Sequence, residues 1–345
     1  MNLQQLKKPS LKIGKSKRQG IKLSPKELIK IDYLQPESKL PVVIQPAREG
    51  LNLVSWAADN RELIETHLLK EGGILFRNFQ LNSIGEFENF MQSSFGNLLE
   101  YSYRSTPRTQ VQNKVYTSTE YPPEQSIPLH NEMAYSNNWP LKICFYCVRA
   151  PKEGGATPIA NSRRIFERIN PTIRKAFEMK KVMYVRNYGN GLDLTWQNVF
   201  QTNNKSDVEN YCKKAGIELE WREGDRLRTY QICQGVAAHP KTGEMVWFNQ
   251  AHLFHISSLK TKVKEQLLSV FKEDELPRNA YYGDRSPIPS EFLDEIREIY
   301  RQETISFPWQ TGDVLLLDNM FSAHGRNPFV GERKVVVAMS ESINN

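Results

Sequence analysis

From about residue 100 to its end, the chain is a succession of short β-like runs broken by proline, glycine and asparagine. Examples are LKICFYCVRA, KVMYVRNYG, RTYQICQGVAAH, EMVWFN, DVLLLDN and KVVVAMSES. Helical stretches lie between them, notably SRRIFERINPTIRKAFEMK, LKTKVKEQLLSVFKE and SEFLDEIREIYRQE. Short strands with inserted helices predict a mainly β fold, a β-sandwich or jelly roll decorated by helices. A Rossmann fold does not fit, because no G-x-G-x-x-G follows a strand and the strand–helix alternation is irregular.

Before residue 100 the sequence predicts two helices and a buried strand. Apolar residues at helical spacing predict a helix over residues 55–72, and GGILFRNF is typical of a short buried strand. SIGEFENFMQSSFG predicts a second helix, with Ser83 as N-cap and Glu86 completing a capping box. Residues 1–40 are polar and rich in proline and lysine. We therefore expect a basic N-terminal arm over residues 1–40 and a single domain over residues 41–345.

Length and charge limit the classes of protein that fit. No stretch of the 345 residues approaches the roughly 18 apolar residues that span a membrane. The N-terminus has no apolar segment of the secretory kind, so we expect a cytoplasmic protein. The net charge is +7, and part of it lies in a cluster formed by Lys7, Lys8, Lys12, Lys15, Lys17 and Arg18. Nucleic acid is not predicted as a partner, since no zinc-finger, RNP or helix-turn-helix pattern accompanies the cluster; a solvated tail and an acidic protein partner both remain open.

The four cysteines do not predict a disulfide framework. Cys144 and Cys147 form a C-x-x-C inside KICFYCV, which is typical of a buried strand. Positions three apart in a strand point to opposite faces, so neither a redox pair nor a zinc knuckle is expected.

Among the six histidines, His130 stands in the segment IPLHNEMAYS, two residues before Glu132. In an extended segment these two side chains project from the same side, while Asn131 points away. One nitrogen and one oxygen ligand make two-thirds of a facial metal triad. An H-x-E pair by itself is weak support, because it occurs often by chance.

A third ligand is available near the C-terminus, where the apolar run VLLL leads into a polar loop that presents His324. Asp318 and Asn319 are expected to form the turn that aims this histidine. Arg333 begins the next extended run, from which its guanidinium fork can grip a dicarboxylate at two points. The alternative for His324 is a hydrogen-bonded structural histidine, and the alternative for Arg333 is a surface salt bridge.

Another segment, WFNQAHLFH, offers a competing histidine pair. His252 and His255 lie three apart, a spacing that serves metal ligands on a helix. Trp247, Phe248 and Asn249 precede them and either line a substrate site or fill the core.

Taken together, these motifs resemble the taurine dioxygenase and clavaminate synthase superfamily. The resemblance rests on the order of H-x-E, a GG-x-TP segment and a distal HGR followed by an arginine. It also includes GGILFRNF, YTSTEYP, PLHNEMAYSNNWP, GGATPIANSR, WFNQAHLFH and DNMFSAHGRNPF, so it runs from about residue 35 to the C-terminus. The branch most similar comprises dioxygenases encoded beside nonribosomal peptide synthetases, including aspartyl β-hydroxylases. It implies a double-stranded β-helix, the clavaminate synthase-like jelly roll.

The resemblance implies three cofactors or cosubstrates: Fe(II), 2-oxoglutarate and O2. His130, Glu132 and His324 match the family's iron ligands, and Glu132 argues against the halogenating variants, which lack that carboxylate. Thr157 in GGATP matches the threonine that contacts the 2-oxoglutarate carboxylate near the metal. Arg333 matches the arginine that pairs with the distal carboxylate; because the spacing from the distal histidine varies, Arg326 is kept in reserve. Arg326 lies so close to His324 that bracing the loop is its alternative role.

The implied activity is hydroxylation of an unactivated C–H of an amino acid or aminoacyl group, with an acidic peptidyl carrier protein as a candidate partner. Arg104, Arg108 and Ser118, together with Asn249, are the substrate-binding candidates. Desaturation or epoxidation by the same family stays open, as do a zinc-type metallohydrolase and a non-catalytic binding module. The oligomeric state is not predicted.

Overall fold

The computed structural model describes residues 28–35, 38–101, 103, 106 and 108–344. The cluster of cations in the first 18 residues and the substrate candidate Arg104 lie outside the described residues. None of the helices in the described part of the chain is both long and apolar enough to cross a membrane.

Short strands occur along the whole of the described chain. They are β1 (Ile29–Gln35), β2 (Ser38–Pro46), β3 (Gly73–Phe76), β4 (Gln110–Gln112), β5 (Val115–Thr117), β6 (Ile127–His130), β7 (Asn138–Arg149), β8 (Glu153–Gly154), β9 (Ile159–Asn161), β10 (Val182–Tyr188), β11 (Glu218–Arg222), β12 (Arg226–Cys233), β13 (Val236–Ala238), β14 (Met245–Trp247), β15 (Arg278–Tyr282), β16 (Val314–Asp318), β17 (Ser322–Arg326), β18 (Phe329–Val330) and β19 (Lys334–Asn344).

Helices lie between these strands in two groups, one before β4 and the other between β9 and β16. They are α1 (Leu53–Asp59), α2 (Arg61–Glu71), α3 (Ile84–Phe95), α4 (Ser162–Arg168), α5 (Pro171–Lys180), α6 (Trp196–Phe200), α7 (Lys205–Ala215), α8 (Ala251–Phe254), α9 (Thr261–Val270) and α10 (Ser290–Gln302).

One large sheet forms the frame of the molecule, with the strand order β1-β2-β3-β16-β7-β19-β5-β4 within the described residues. Its pairs are antiparallel except for β2 with β3, which run parallel. Helices α1 to α3 pack on one face through residues such as Trp56, Leu68 and Phe87. Because both faces are covered, the central strands are continuous apolar runs, which explains the VLLL and VVVAM segments.

The opposite face of this sheet packs against a smaller one, ordered β6-β17-β9. Ile159 of β9 shares a buried cluster with Phe145 of β7 and Val335 of β19. The two sheets thus form a sandwich, as the sequence predicts. β6 and β17 lie at its mouth and carry His130 and His324.

A further sheet, β11-β12-β10-β15, belongs to the inserted region between β9 and β16. It shares a core with α4, α5, α7 and α10, which includes Ile165, Phe177, Cys212 and Leu293. This insertion contains the segment WFNQAHLFH and places it behind β6. There the imidazole of His252 is hydrogen-bonded to the carbonyl oxygen of Leu129.

Three details of the sequence prediction change. The helix predicted over residues 55–72 is two helices, α1 and α2, separated at Asn60, whose side chain donates to the carbonyl of Trp56. Ser83 caps α3 as expected, but the Glu86 carboxylate accepts from the backbone N–H of Asn82 instead of Ser83. The sheet begins at Ile29, because β1 pairs with β2. The arm expected over residues 1–40 therefore stays a prediction only for the residues before 28.

The cysteine prediction agrees with the structure. Cys144 and Cys147 are buried, unpaired as a disulfide, and packed into clusters on opposite faces of the large sheet. Burial raises the pKa of both thiols, so they remain protonated and act as small apolar side chains.

Candidate active site

Two histidines face each other across neighbouring strands at the mouth of the sandwich. His130 on β6 and His324 on β17 are direct partners in the antiparallel register, and their ring centroids lie 4.6 Å apart. Phe145 of the large sheet packs against the His324 ring at a centroid distance of 5.0 Å. The sheet register therefore brings together two imidazoles that are far apart in sequence.

Glu132 completes the cluster, although not by the strand alternation that the sequence predicts. β6 ends at His130, and Glu132 lies in the turn that follows. Asn319 holds it there: its side-chain oxygen accepts from the N–H of Glu132 at 2.7 Å, and its amide donates to the Glu132 carbonyl at 2.9 Å. Asn319 thus positions Glu132. The sequence predicts only that Asn319 forms the turn before His324.

The charges of this cluster suit a metal ion. Burial and the neighbouring His324 lower the pKa of His130 to about 4, so its imidazole is neutral at neutral pH. Burial opposes ionisation of Glu132, but Arg108 and the two histidines outweigh it and keep the pKa of that carboxyl well below its ordinary value. A neutral imidazole and an ionised carboxylate are the protonation states in which these groups bind metals.

The donor atoms also fit a metal in their arrangement. One ligand atom from each of His130, Glu132 and His324 lies within 4.8 Å of the others. His130 Nδ1 contacts the carbonyl of Pro128 at 2.8 Å; with the proton there, Nε2 is left as the metal-binding nitrogen. Two imidazoles and one carboxylate with open positions are the facial donor set of non-haem Fe(II) oxygenases.

Beside this cluster, Arg333 lies at the start of β19 with its guanidinium directed at neutral oxygens. It donates to the carbonyl of Gly155 at 2.8 Å, to Ser118 Oγ at 3.2 Å and to Thr157 Oγ1 at 3.4 Å. Burial, and to a smaller extent Arg326, lowers its pKa to about 10, so it stays charged at neutral pH. Within the described residues no carboxylate pairs with Arg333, and such a partly buried cation fits a dicarboxylate ligand.

The GGATP segment is explained by close packing around this arginine. Gly155 has φ +66°, and a Cβ there would lie 3.0 Å from Arg333 Cδ and 2.9 Å from Phe329 Cβ. Glycine is therefore required both for the backbone conformation and for the space. Thr157, two residues on, also accepts from Trp309 Nε1 at 3.1 Å, a contact that no motif in the sequence indicated.

The reserve candidate Arg326 has a different task. It donates to four backbone carbonyls, those of Thr119, Tyr121, Pro122 and Gln125. These bonds brace the loop that leads into β6. Arg326 also borders the cavity, but its guanidinium is largely occupied by the loop.

One cavity is lined both by two residues of the metal cluster, His130 and His324, and by Arg333. Its lining includes Arg108, Ser118, His130, Thr157, Phe145, His324, Gly325, Arg326 and Arg333. Arg108 is buried there and donates to Glu132 Oε2 at 2.7 Å. Of the substrate candidates, the structure therefore places Arg108 and Ser118 at the cavity, with Ser118 next to Arg333.

Other candidates lie elsewhere, and the position of Asn249 does not support its prediction as a substrate residue. Asn249 is fully buried outside the lining of this cavity; its amide donates to the carbonyl of Gly235 and its oxygen accepts from Ala251 N–H. It shapes a turn. His252 stacks on Tyr300, and His255 caps a turn through Ser257, so neither joins the metal cluster. Trp247 packs into the core against Phe177.

A β-sandwich that carries two histidines and one carboxylate at its mouth, with a partly buried arginine beside them, is typical of Fe(II)- and 2-oxoglutarate-dependent oxygenases. The chain belongs to the taurine catabolism dioxygenase TauD, TfdA family, whose model matches residues 34–339. It is thus a 2-oxoglutarate-dependent dioxygenase of the jelly-roll type, with Fe(II), 2-oxoglutarate and O2 as cofactor and cosubstrates. The predicted family, fold and enzyme class are confirmed.

Two relatives and one solved structure illustrate the similarity. The chain is 42% identical over 280 residues to the dapdiamide synthesis protein DdaC from Enterobacter agglomerans, covering 81% of this chain and 85% of DdaC. It is 29% identical over 338 residues to a clavaminate synthase-like protein from Arabidopsis thaliana, covering 91% and 99% of the two chains. The crystal structure of PvcB from Pseudomonas aeruginosa superposes with a TM-score of 0.54 at 13% identity, covering 92% and 91%, which shows the shared fold.

Proposed function

We propose that His130, Glu132 and His324 bind the Fe(II), and that Arg333 and Thr157 bind 2-oxoglutarate. The proposal is supported above all by the cavity that is lined both by two residues of the cluster, His130 and His324, and by a partly buried arginine facing neutral oxygens. A zinc-type hydrolase needs no 2-oxoglutarate and therefore no such arginine. A non-catalytic binding module needs no complete set of metal ligands.

The reaction we propose is hydroxylation of an unactivated C–H on an amino acid or aminoacyl group. When bound, iron and 2-oxoglutarate supply the oxidising power, with O2 delivering one oxygen atom to the substrate and one to the succinate that forms with CO2. The protein's residues supply position: the β6–β17 register fixes the two imidazoles, and Asn319 fixes the Glu132 backbone. Phe145 covers one side of His324 and limits water at the cluster.

A biosynthetic role is supported by the similarity to DdaC, a protein of dapdiamide synthesis. We propose that this chain modifies an amino-acid-like building block rather than degrading a nutrient. The first test is a screen of free amino acids and of aminoacyl groups on a peptidyl carrier protein, with succinate and product mass measured. A product heavier by one oxygen atom supports hydroxylation, and one lighter by two hydrogens shows desaturation instead. Oxidation of no amino-acid-like compound, together with turnover of taurine or another sulfonate, would contradict the proposed substrate class.

We propose a peptidyl carrier protein as a partner because of the positive charge near the N-terminus of the chain. The cations of the first 18 residues suit an acidic carrier surface. If the arm binds a carrier, deletion of residues 1–27 raises the KM for a carrier-bound substrate and leaves the KM for the corresponding free amino acid unchanged. An equal KM for the carrier-bound substrate before and after deletion would contradict the role of the arm.

A further inference from the structure

Arg108 lies beside the metal cluster with most of its hydrogen-bonding capacity unused. Its Nη2 donates to Glu132 Oε2 at 2.7 Å, and its guanidinium stacks on the Tyr101 ring at 4.4 Å from the ring centroid. Nε and Nη1 are buried and make no hydrogen bond to any of the residues that the structure describes. The side chain is 3% exposed and borders the cavity that holds His130 and His324. A buried guanidinium with two unsatisfied nitrogens is costly unless a ligand completes it.

Once metal and 2-oxoglutarate are bound, the charge of Arg108 is not fully balanced by the negative groups in the cavity. Arg333 serves the distal carboxylate of 2-oxoglutarate under the proposed function, and Arg326 is occupied by the loop carbonyls. Glu132 then shares its negative charge with the divalent metal, because the same carboxylate is a metal ligand. Since 2-oxoglutarate carries two negative charges and the metal two positive ones, the cavity retains a surplus of positive charge at Arg108.

We propose that Arg108 binds a carboxylate of the substrate, so that the substrate is an acid oxidised at a carbon close to that carboxylate. The inference rests on the proposed function and deepens it. A guanidinium presents its donors in a planar fork that matches a carboxylate. Stacking on Tyr101 fixes the plane of that fork. Because Arg108 touches a metal ligand directly, a carboxylate bound to it lies next to the metal, and only a short carbon chain separates it from the reacting C–H.

The carboxylate has two sources in an amino-acid-like substrate. An α-carboxylate implies a free acid, since a carrier-bound group has its α-carboxyl tied up in the thioester. A side-chain carboxylate, as in an aspartyl group, is available in both forms. The recognition chemistry is the same, and the experiment separates the two.

The test uses the Mn(II)-loaded protein with saturating 2-oxoglutarate and ¹³C-labelled acetate as the probe. We expect saturable paramagnetic relaxation of the acetate carboxyl carbon, and at least about tenfold weaker binding of neutral acetamide, equivalent to about 1.4 kcal/mol. The wild-type comparison of acetate with acetamide does not depend on any variant. Equal relaxation of the two probes, or no saturable effect of acetate, would overturn the proposal.

Two variants show whether Arg108 is the residue that binds acetate. Arg108→Gln is expected to lose the acetate effect by at least about tenfold, while Mn(II) affinity and 2-oxoglutarate affinity change much less. Arg301→Gln is the matched control, because Arg301 is an exposed arginine paired with Glu298 on α10. An unchanged acetate effect in Arg108→Gln overturns the assignment. So does a parallel loss of 2-oxoglutarate affinity, which would place the cosubstrate at Arg108.

Two isomeric competitors then identify the source of the carboxylate. N-acetyl-L-asparagine carries only an α-carboxylate, and N-acetyl-L-aspartate α-amide carries only the side-chain one. Displacement of acetate by the first identifies a free acid, and displacement by the second a side-chain carboxylate. Displacement by neither contradicts an amino-acid-like acid. Failure of the proposed function is separate, because it would show as loss of 2-oxoglutarate chelation by the metal whatever acetate does.

Discussion

His130 and His324 are direct cross-strand partners, so each directs one imidazole nitrogen at the same point, next to the carboxylate of Glu132. Replacement of any of the three by alanine is expected to abolish turnover. Iron affinity should fall by more than the roughly 10–100-fold typical of losing an outer partner. Iron content by mass spectrometry and folding by circular dichroism measure the two effects separately.

His255→Ala is the matched control for these variants, because His255 is also a buried histidine but lies outside the cluster. It should retain iron and activity. If a cluster variant kept its iron while His255→Ala lost it, the assignment of the ligands would be wrong.

Arg333 and Arg326 are neighbours with different expected effects. Arg333→Met should raise the KM for 2-oxoglutarate by about 10–100-fold, since a charge-assisted hydrogen bond contributes about 1.5–3 kcal/mol. Arg326→Met removes bonds to loop carbonyls and should lower the free energy of unfolding instead. Steady-state kinetics with varied 2-oxoglutarate and urea denaturation distinguish them. A raised KM for 2-oxoglutarate confined to Arg326→Met would transfer the cosubstrate role to Arg326.

At the scale of secondary-structure elements, the side chain of Asn319 bonds the turn between β16 and β17 to the turn after β6. Asn319 bonds to both backbone groups of Glu132 and also donates to the carbonyl of Pro140 at 2.8 Å. Asn319→Ala should therefore destabilise the protein by about 1–3 kcal/mol, because buried backbone groups lose their partners. It should also weaken iron binding by about 10–100-fold.

Two measurements check this prediction: urea denaturation of the iron-free protein and competitive iron titration. Asn249→Ala is the control, since Asn249 is likewise buried and bonded to backbone but lies in another turn. Iron affinity equal in the two variants would show that Asn319 contributes only to stability.

The elements also show what the sequence could and could not predict. Apolar runs predicted β16 and β19 well, because strands covered on both faces need no polar alternation. The break at Asn60 was missed, since both halves of the predicted helix have helical spacing. The position of Glu132 was expected for a reason that the structure does not support: the strand stops at His130, and a tertiary bond from Asn319 replaces the strand alternation.

At the scale of the whole molecule, the large sheet contributes Phe145, and the small sheet His130 and His324, to the lining of the cavity at the candidate site. The motifs could predict the sandwich and the cluster, because each motif lies at a strand end. The closeness of Arg326 to His324 in sequence indicated a bracing role, but the carbonyls that it bonds lie in a loop distant in sequence. Local patterns carry no information on such contacts, so the partners of Arg326 and the burial of Asn249 could not be predicted.

Metal removal tests the whole molecule reversibly. Dialysis against a chelator should abolish turnover while leaving the sandwich folded, because the apolar clusters on both faces of the large sheet do not involve the ligands. Fe(II) should restore activity and Zn²⁺ should not. Restoration by Zn²⁺ would support a hydrolase.

Fe(II) and 2-oxoglutarate are expected to bind together in the cavity between His324 and Arg333. The most direct measurement is an anaerobic ultraviolet–visible titration of the iron-free protein with Fe(II) and then 2-oxoglutarate. We predict a weak visible metal-to-ligand charge-transfer band that is lost in His324→Ala and needs a higher 2-oxoglutarate concentration in Arg333→Met. Iron binding without the band would contradict chelation of 2-oxoglutarate, and a band that persists unchanged in both variants would contradict the site.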